Sequence, residues 1–151
     1  MEDKDIVITS AFRTPIGSYM GSLSAVKATE LGTEIIKSCM KNSKLNGDDV
    51  DMVYMGQVLQ TGSGQNPARQ AAINAGINKE KTATTINQVC GSGLSAISLG
   101  FNSLKLDDGN IIIAGGQESM SNSPYYINLK KDEEIDKKKL QNSMMVDGLI
   151  D

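Results

Sequence analysis

The sequence predicts an α/β fold: a layered domain on a mostly parallel central sheet. Three observations carry this. Short β-branched and apolar runs alternate along the chain with segments whose apolar residues recur every three or four positions. Turn residues stand at most of the junctions. Apart from the leading Asp5, the runs at 5–8 and 111–114 are continuously apolar, as strands covered on both faces are.

In order, "DIVITSAFRTP" (5–15) reads as a first buried strand ended by proline. From Ala28 to Leu45, the residues Leu31, Ile35, Ile36, Cys39 and Met40 fall on one helical stripe, and Asn46-Gly47 ends the run. "VDMVYMGQVLQ" (50–60) is the second strand, followed by the polar loop "TGSGQNP". Pro67 suits the first turn of a helix that continues to Gly76. "TATTINQV" (82–89) is the third strand. Leu94, Ile97, Phe101 and Leu104 form the stripe of the next helix, which Asp107-Asp108-Gly109 closes. "NIIIAGGQE" (110–118) is the fourth strand, and after Ser123 the alternation stops. The segment 128–143 carries mixed charge with little apolar periodicity and reads as a solvated segment or the start of an excursion.

With 151 residues the chain can bury a real core. A net charge of −3 argues against nucleic acid or an anionic membrane as partner, and no apolar run is long enough to span a bilayer. "MEDKDIV" begins acidic, unlike a signal peptide, so the expected location is cytoplasmic. Two cysteines and no histidine leave almost no ligands for zinc, and no metal site is expected. The missing histidine also removes the commonest general acid/base.

Chemistry concentrates at "NQVCGSGLSAI" (87–97). Cys39, inside a helical stripe, reads as a buried structural residue. Cys90 leaves four readings open. It could be a structural thiol beside a glycine turn. Gly91-Ser92-Gly93 could open a dinucleotide fingerprint, with Glu118 at the distance expected of a ribose ligand. A cysteine where a strand turns sharply into a helix could be an acyl-accepting nucleophile, because helix N-termini favour thiolates and the turn lifts the side chain clear. The glycines would then let an acyl group approach the backbone, and the Cys90 N–H could donate to an oxyanion. A redox-sensing thiol uses the same physics.

The same segment resembles the active-site segment of thiolases, particularly of the acetyl-CoA acetyltransferase branch. "RTPIGSYMGSL" (13–23), "GQVLQTGSGQNPARQAA" (56–72) and "AGGQESMS" (114–121) are similar to three more segments of that family in the same order. "MVDGLID" (145–151) is similar to a fifth. The resemblance implies the N-terminal half of a thiolase-type fold, with residues 1–121 as its α/β domain and 122–151 as the start of a loop domain. It implies an acyltransferase that condenses two acetyl-CoA molecules into acetoacetyl-CoA, or cleaves it, within fatty acid metabolism.

By position, Cys90 is the nucleophile at the head of a buried helix, its backbone N–H part of an oxyanion hole. Gly91, Gly93, Gln117 and Ser119 support the substrate cavity. Gln60, Gln65, Asn66 and Arg69 belong to a loop at a dimer interface. The substrates are acetyl-CoA and acyl-CoA, coenzyme A arrives on the substrate, and no separate cofactor is implied. The partner is a second copy or a complementary C-terminal half, since thiolases are more than twice this long and carry their catalytic histidine and second cysteine there. The chain is therefore expected to be a fragment, a split-gene product or a cleaved piece, inactive alone. The alternatives are a non-catalytic thiolase-like assembly partner and another superfamily member such as a ketoacyl synthase.

Overall fold

A computed structural model describes residues 5–150. Residues 1–4 and 151, the outer ends of the two expected domains, lie outside the described residues.

Three strands run parallel: β1 (Met52–Gly56), β2 (Thr82–Ile86) and β3 (Ile112–Gly116). β1 lies in the middle, pairing Met52 with Thr82 and with Ile112, and Gly56 with Ile86 and with Gly116. Parallel neighbours need crossovers, which are the helices α2 (Pro67–Asn74) and α3 (Ser92–Lys105). Helix α1 (Ala28–Ser43) precedes β1. The period of two along β1 separates the layers. Val53 and Met55 are buried with Ile36 and Met40 of α1 and the alanines Ala68, Ala71 and Ala72 of α2. Tyr54 faces the other way and meets Ser103 of α3 through its hydroxyl at 3.1 Å. The sheet therefore sits between α1 with α2 on one face and α3 on the other, as the mostly parallel reading expects.

Local signals explain the boundaries. Glu30 reaches back to accept from the Lys27 N–H at 2.8 Å, starting α1. Lys44 in the left-handed region (φ 55°) ends it, two residues before the Asn46-Gly47 turn. Asn66 caps α2 by accepting from the Arg69 N–H, with Pro67 in the first turn as expected.

Four expectations change. Residues 5–15 form no strand. A strand needs a neighbour for its N–H and C=O groups, and none of β1, β2 and β3 pairs with this segment. The segment is irregular, with Val7 71% and Ile8 82% exposed, and touches α1 through Thr9 with Ser43 and Ser10 with Asn42. The large apolar stripe of α3 does not face the sheet. Ser92, Ala96, Gly100 and Ser103 do, while Leu94 is 72% exposed and Ile97 and Phe101 are also exposed. The reason is proximity: a Cβ on Gly100 would lie 3.2 Å from Ile112 Cγ2 and 3.5 Å from Ala114 Cβ, so only small residues fit there. The helix headed by Cys90 is thus covered on one side only.

Cys39 is half-buried rather than buried, and both cysteines are free thiols. Finally, the charged segment does not simply trail off. Exposed along most of its length, it is closed at its base by a two-stranded antiparallel ladder, β4 (Tyr125–Tyr126) with β5 (Gln141–Asn142). A π-helical turn, Met145–Leu149, follows. The expected domain boundary at 121/122 falls inside a 3₁₀ turn, Met120–Asn122.

Candidate active site

Because the three strands are parallel, their carboxyl ends meet at one edge of the sheet, where α/β folds place ligands. Beyond the last rungs, the Gln57 N–H donates to Ile86 O and the Gln117 N–H to Gly56 O. A cavity of about 400 Å³ opens there. Gln57, Val58 and Leu59 line it from β1, Val89, Cys90, Ser92 and Gly93 from the start of α3, and Gln117 and Glu118 from β3. Met120, Gly148 and Leu149 complete its walls.

Cys90 stands on a strained turn. Val89, directly before it, has φ +49°, a left-handed conformation that a β-branched residue adopts at real cost. The Ser92 hydroxyl holds the turn closed, donating to Val89 O at 2.6 Å and accepting from the Gln88 N–H at 2.8 Å. The Ser95 hydroxyl also bonds the Gln88 side chain. With the backbone pinned this way, the Cys90 side chain is exposed at the cavity. The unusual backbone angle thus falls on Val89. Gly91, the residue capping α3, has an ordinary helical φ of −82°.

Glycines matter here for closeness. A Cβ on Gly56 would lie 2.6 Å from the backbone carbon of Ser92 and 2.7 Å from the Gly93 nitrogen, so β1 touches the first turn of α3 directly. A Cβ on Gly116 would meet Gly56 O and the Gly93 Cα at 3.5 Å, an ordinary contact. Gly93 itself has room, with only Gly115 O near at 4.0 Å.

Below the thiol lies a buried amide pair. The Gln117 Nε2 donates to Gln57 Oε1 at 2.9 Å, and Gln57 Nε2 donates to Leu59 O and Ser63 Oγ. Gln57 is 1% and Gln117 6% exposed. Gln117 Oε1, turned toward Gly32 of α1, has no hydrogen-bond partner among the described residues. The Glu118 carboxylate accepts from the Val58 N–H at 2.8 Å and the Leu59 N–H at 3.3 Å. Burial pushes its carboxyl above the usual carboxylate range, against the backbone N–H groups of Val58, Leu59 and Ser119, which pull it down.

Of the residues singled out in the sequence, Cys90, Gly93 and Gln117 meet at this cavity, and Gly91 caps the helix beside it. Ser119 turns away. Its hydroxyl donates to Val26 O, and it lines a neighbouring hollow of about 200 Å³. The loop residues are folded back on their own chain. Gln60 Nε2 donates to Gln57 O, Gln65 O accepts from Gln70 Nε2, and Arg69 donates to Lys79 O and Lys81 O. Asn66 accepts from Thr85 and donates to Ala83 O, fixing the loop to β2.

Sequence reasoning missed Gln57, Ser92 and the role of Glu118. Among the described residues no cluster of three His, Cys, Asp or Glu could hold a metal, and no helix is long and apolar enough to cross a membrane.

The sequence profile described as "Thiolase, N-terminal domain" matches residues 6–151. Similar curated proteins include an acetyl-CoA acetyltransferase of Pseudomonas aeruginosa, 46% identical over 149 residues, which covers 98% of this chain and 38% of that protein. One of Cupriavidus necator is 47% identical over 148 residues, 97% of this chain and 38% of that protein. One of Rhizobium meliloti is 44% identical over 151 residues, all of this chain and 38% of that protein. The chain thus spans well under half the length of each of these relatives.

Proposed function

Since the chain belongs to the thiolase family and matches its N-terminal domain, we propose that it supplies the acyl-accepting cysteine of an acetyl-CoA acetyltransferase. The observation that carries the reading is the thiol of Cys90, exposed on a strained strand-to-helix turn over a cavity at the carboxyl ends of the sheet. In the first step the Cys90 sulfur attacks the thioester carbonyl carbon of acetyl-CoA. A bond forms between sulfur and acetyl carbon, the carbon–sulfur bond to coenzyme A breaks, and the thiol proton leaves on coenzyme A. The Cys90 N–H, at the start of α3, is the oxyanion donor in this reading. Leu59, Val89, Met120 and Leu149 give the acetyl group apolar walls.

The second step is a condensation in which a second acetyl-CoA, deprotonated at its methyl carbon, attacks acetyl-Cys90 and releases acetoacetyl-CoA. That step needs a base. The 151 residues contain no histidine, and only Cys90 and Glu118 among the cavity-lining side chains ionise. The Glu118 oxygens are taken by the Val58 and Leu59 N–H groups, so in this reading a complementary thiolase segment supplies the base, with the 60–69 loop as the contact. Cys90→Ser in the protein that contains these residues tests the reading. Turnover of acetoacetyl-CoA should vanish while assembly and fold persist; full turnover in that variant would reject Cys90 as the nucleophile.

A further inference from the structure

The cavity wall opposite the thiol is held in an unusual way. Past Gln57, β1 has no strand neighbour, yet the backbone of Val58 and Leu59 stays ordered at the cavity edge, and all four of its polar groups are taken by side chains. The Val58 N–H and Leu59 N–H both go to Glu118. Val58 O accepts from Asn87 Nδ2 at 3.3 Å, and Leu59 O from Gln57 Nε2 at 2.9 Å. These side chains come from the ends of all three strands, so the wall sits where they place it. Glu118 alone carries two of the four groups. Val58, Leu59, Glu118 and Cys90 line one and the same cavity.

We infer that Glu118 is a positioning residue for acyl transfer to Cys90, its carboxylate holding the Val58–Leu59 wall at the distance that seats the thioester against the sulfur. This rests on the acyl-acceptor reading above. Each of the two N–H groups bonds a different carboxylate oxygen, an arrangement that an ionised carboxylate provides and a carboxamide, with one oxygen and one NH₂, does not. In Glu118→Gln, one amide would face an NH₂ donor and be left unpaired. Protonating Glu118 has a similar effect, because one oxygen then becomes a donor. Few other charges bear on it. Cys90 faces it from the start of α3. Asp147 lies on the Met145–Leu149 turn, its carboxylate bonded by the Thr61 hydroxyl, and Lys27 borders the neighbouring hollow. The residues lining the cavity from β1, β3 and the Met120–Asn122 turn add no other ionisable side chain.

The test uses the protein containing this chain, with wild type, Glu118→Gln and Glu118→Asp compared side by side. Rapid-quench mass spectrometry reads acetylation of Cys90 by acetyl-CoA, and iodoacetamide reads the bare reactivity of the same thiol. Displacement of a reacting group by about 1 Å can cost about 10²-fold, so Glu118→Gln should slow acetylation at least tenfold. The iodoacetamide rate should stay within about twofold, because a small reagent does not need the wall. The wild-type acetylation rate should fall as acid protonates Glu118, and Glu118→Gln should lack that acid limb. Equal acetylation rates and equal pH profiles in wild type and Glu118→Gln would overturn the inference. So would acetylation and alkylation falling together, the mark of a protein merely loosened. Absence of acetylation in the wild type would reject the acyl-acceptor reading itself, and this inference with it.

Discussion

Gly56→Ala should disturb the site more than any change at the glycines beside the cysteine. The added Cβ would lie 2.6 Å from Ser92 C and 2.7 Å from Gly93 N, where ordinary contact begins at 3.4 Å. The obstructing atoms are backbone in the first turn of α3, so no rotamer change relieves them. The start of the helix must retreat by about 0.8 Å from β1, and Cys90 moves with it. Overpacking a tight site costs about 1–3 kcal/mol, and rigid backbone on the far side puts this case near the upper end. In urea that is a fall in midpoint of about 1 M or more, with an unchanged slope. Acetylation of Cys90 should fall by up to about 10²-fold from misplacement alone. Gly93→Ala is the control. Its Cβ meets only Gly115 O at 4.0 Å, so stability should hold within about 1 kcal/mol, a helix gaining slightly from alanine. A Gly56→Ala protein as stable as wild type would refute the close-contact reasoning, as would a Gly93→Ala protein that loses more stability than Gly56→Ala.

Other outcomes can be checked alongside it. Asp51 accepts from the Asn110 and Ile111 N–H groups and from Lys81, and these hold its carboxyl below its ordinary value, the Asn110 bond most of all. Its stabilisation is therefore present above the unfolded value near 3.8 and is lost as the pH falls through the lower folded value. Asp51→Asn should cost about 1–3 kcal/mol at neutral pH, with the gap to wild type closing in acid, as chemical denaturation at several pH values would show. Val89→Gly relieves the φ of +49°, so the variant should unfold no more easily than wild type, yet acetylate more slowly because glycine widens the backbone freedom of the elbow. Thermal melts paired with acetylation rates would decide it. In Gly47→Ala the new Cβ would lie 1.9 Å from Gly76 O, and a drop in melting temperature of several degrees is expected.

The layered fold was legible because its signals are local. Pro67 and the alanines after it mark α2, and the β-branched "TATTI" marks β2. What composition could not convey was which neighbour each element would find. Residues 5–8 have a strand's composition, but composition does not supply a pairing partner, and none of β1, β2 and β3 pairs with them. The α3 stripe was misjudged for a related reason. Periodicity marks the apolar face, but Gly100, Ala96 and Ser92 let the helix approach the sheet on its small-residue side. At the site, Cys90 announced itself by its place between a strand and a glycine-flanked turn. Glu118 did not, because its partners are backbone amides that are 59 and 60 residues away in sequence and that no side-chain pattern records. Gln57 and Gln117, likewise 60 residues apart, pair only because β1 and β3 lie side by side.

The central claim is that Cys90 accepts the acetyl group. Brief exposure of the protein containing this chain to acetyl-CoA, acid quenching and peptide mass mapping test it directly. The account predicts one added acetyl group on the peptide carrying Cys90, none on Cys39, and loss of that group on addition of free coenzyme A, which takes it back as acetyl-CoA. An unmodified Cys90 peptide, or an acetyl group found on Cys39 instead, would contradict it.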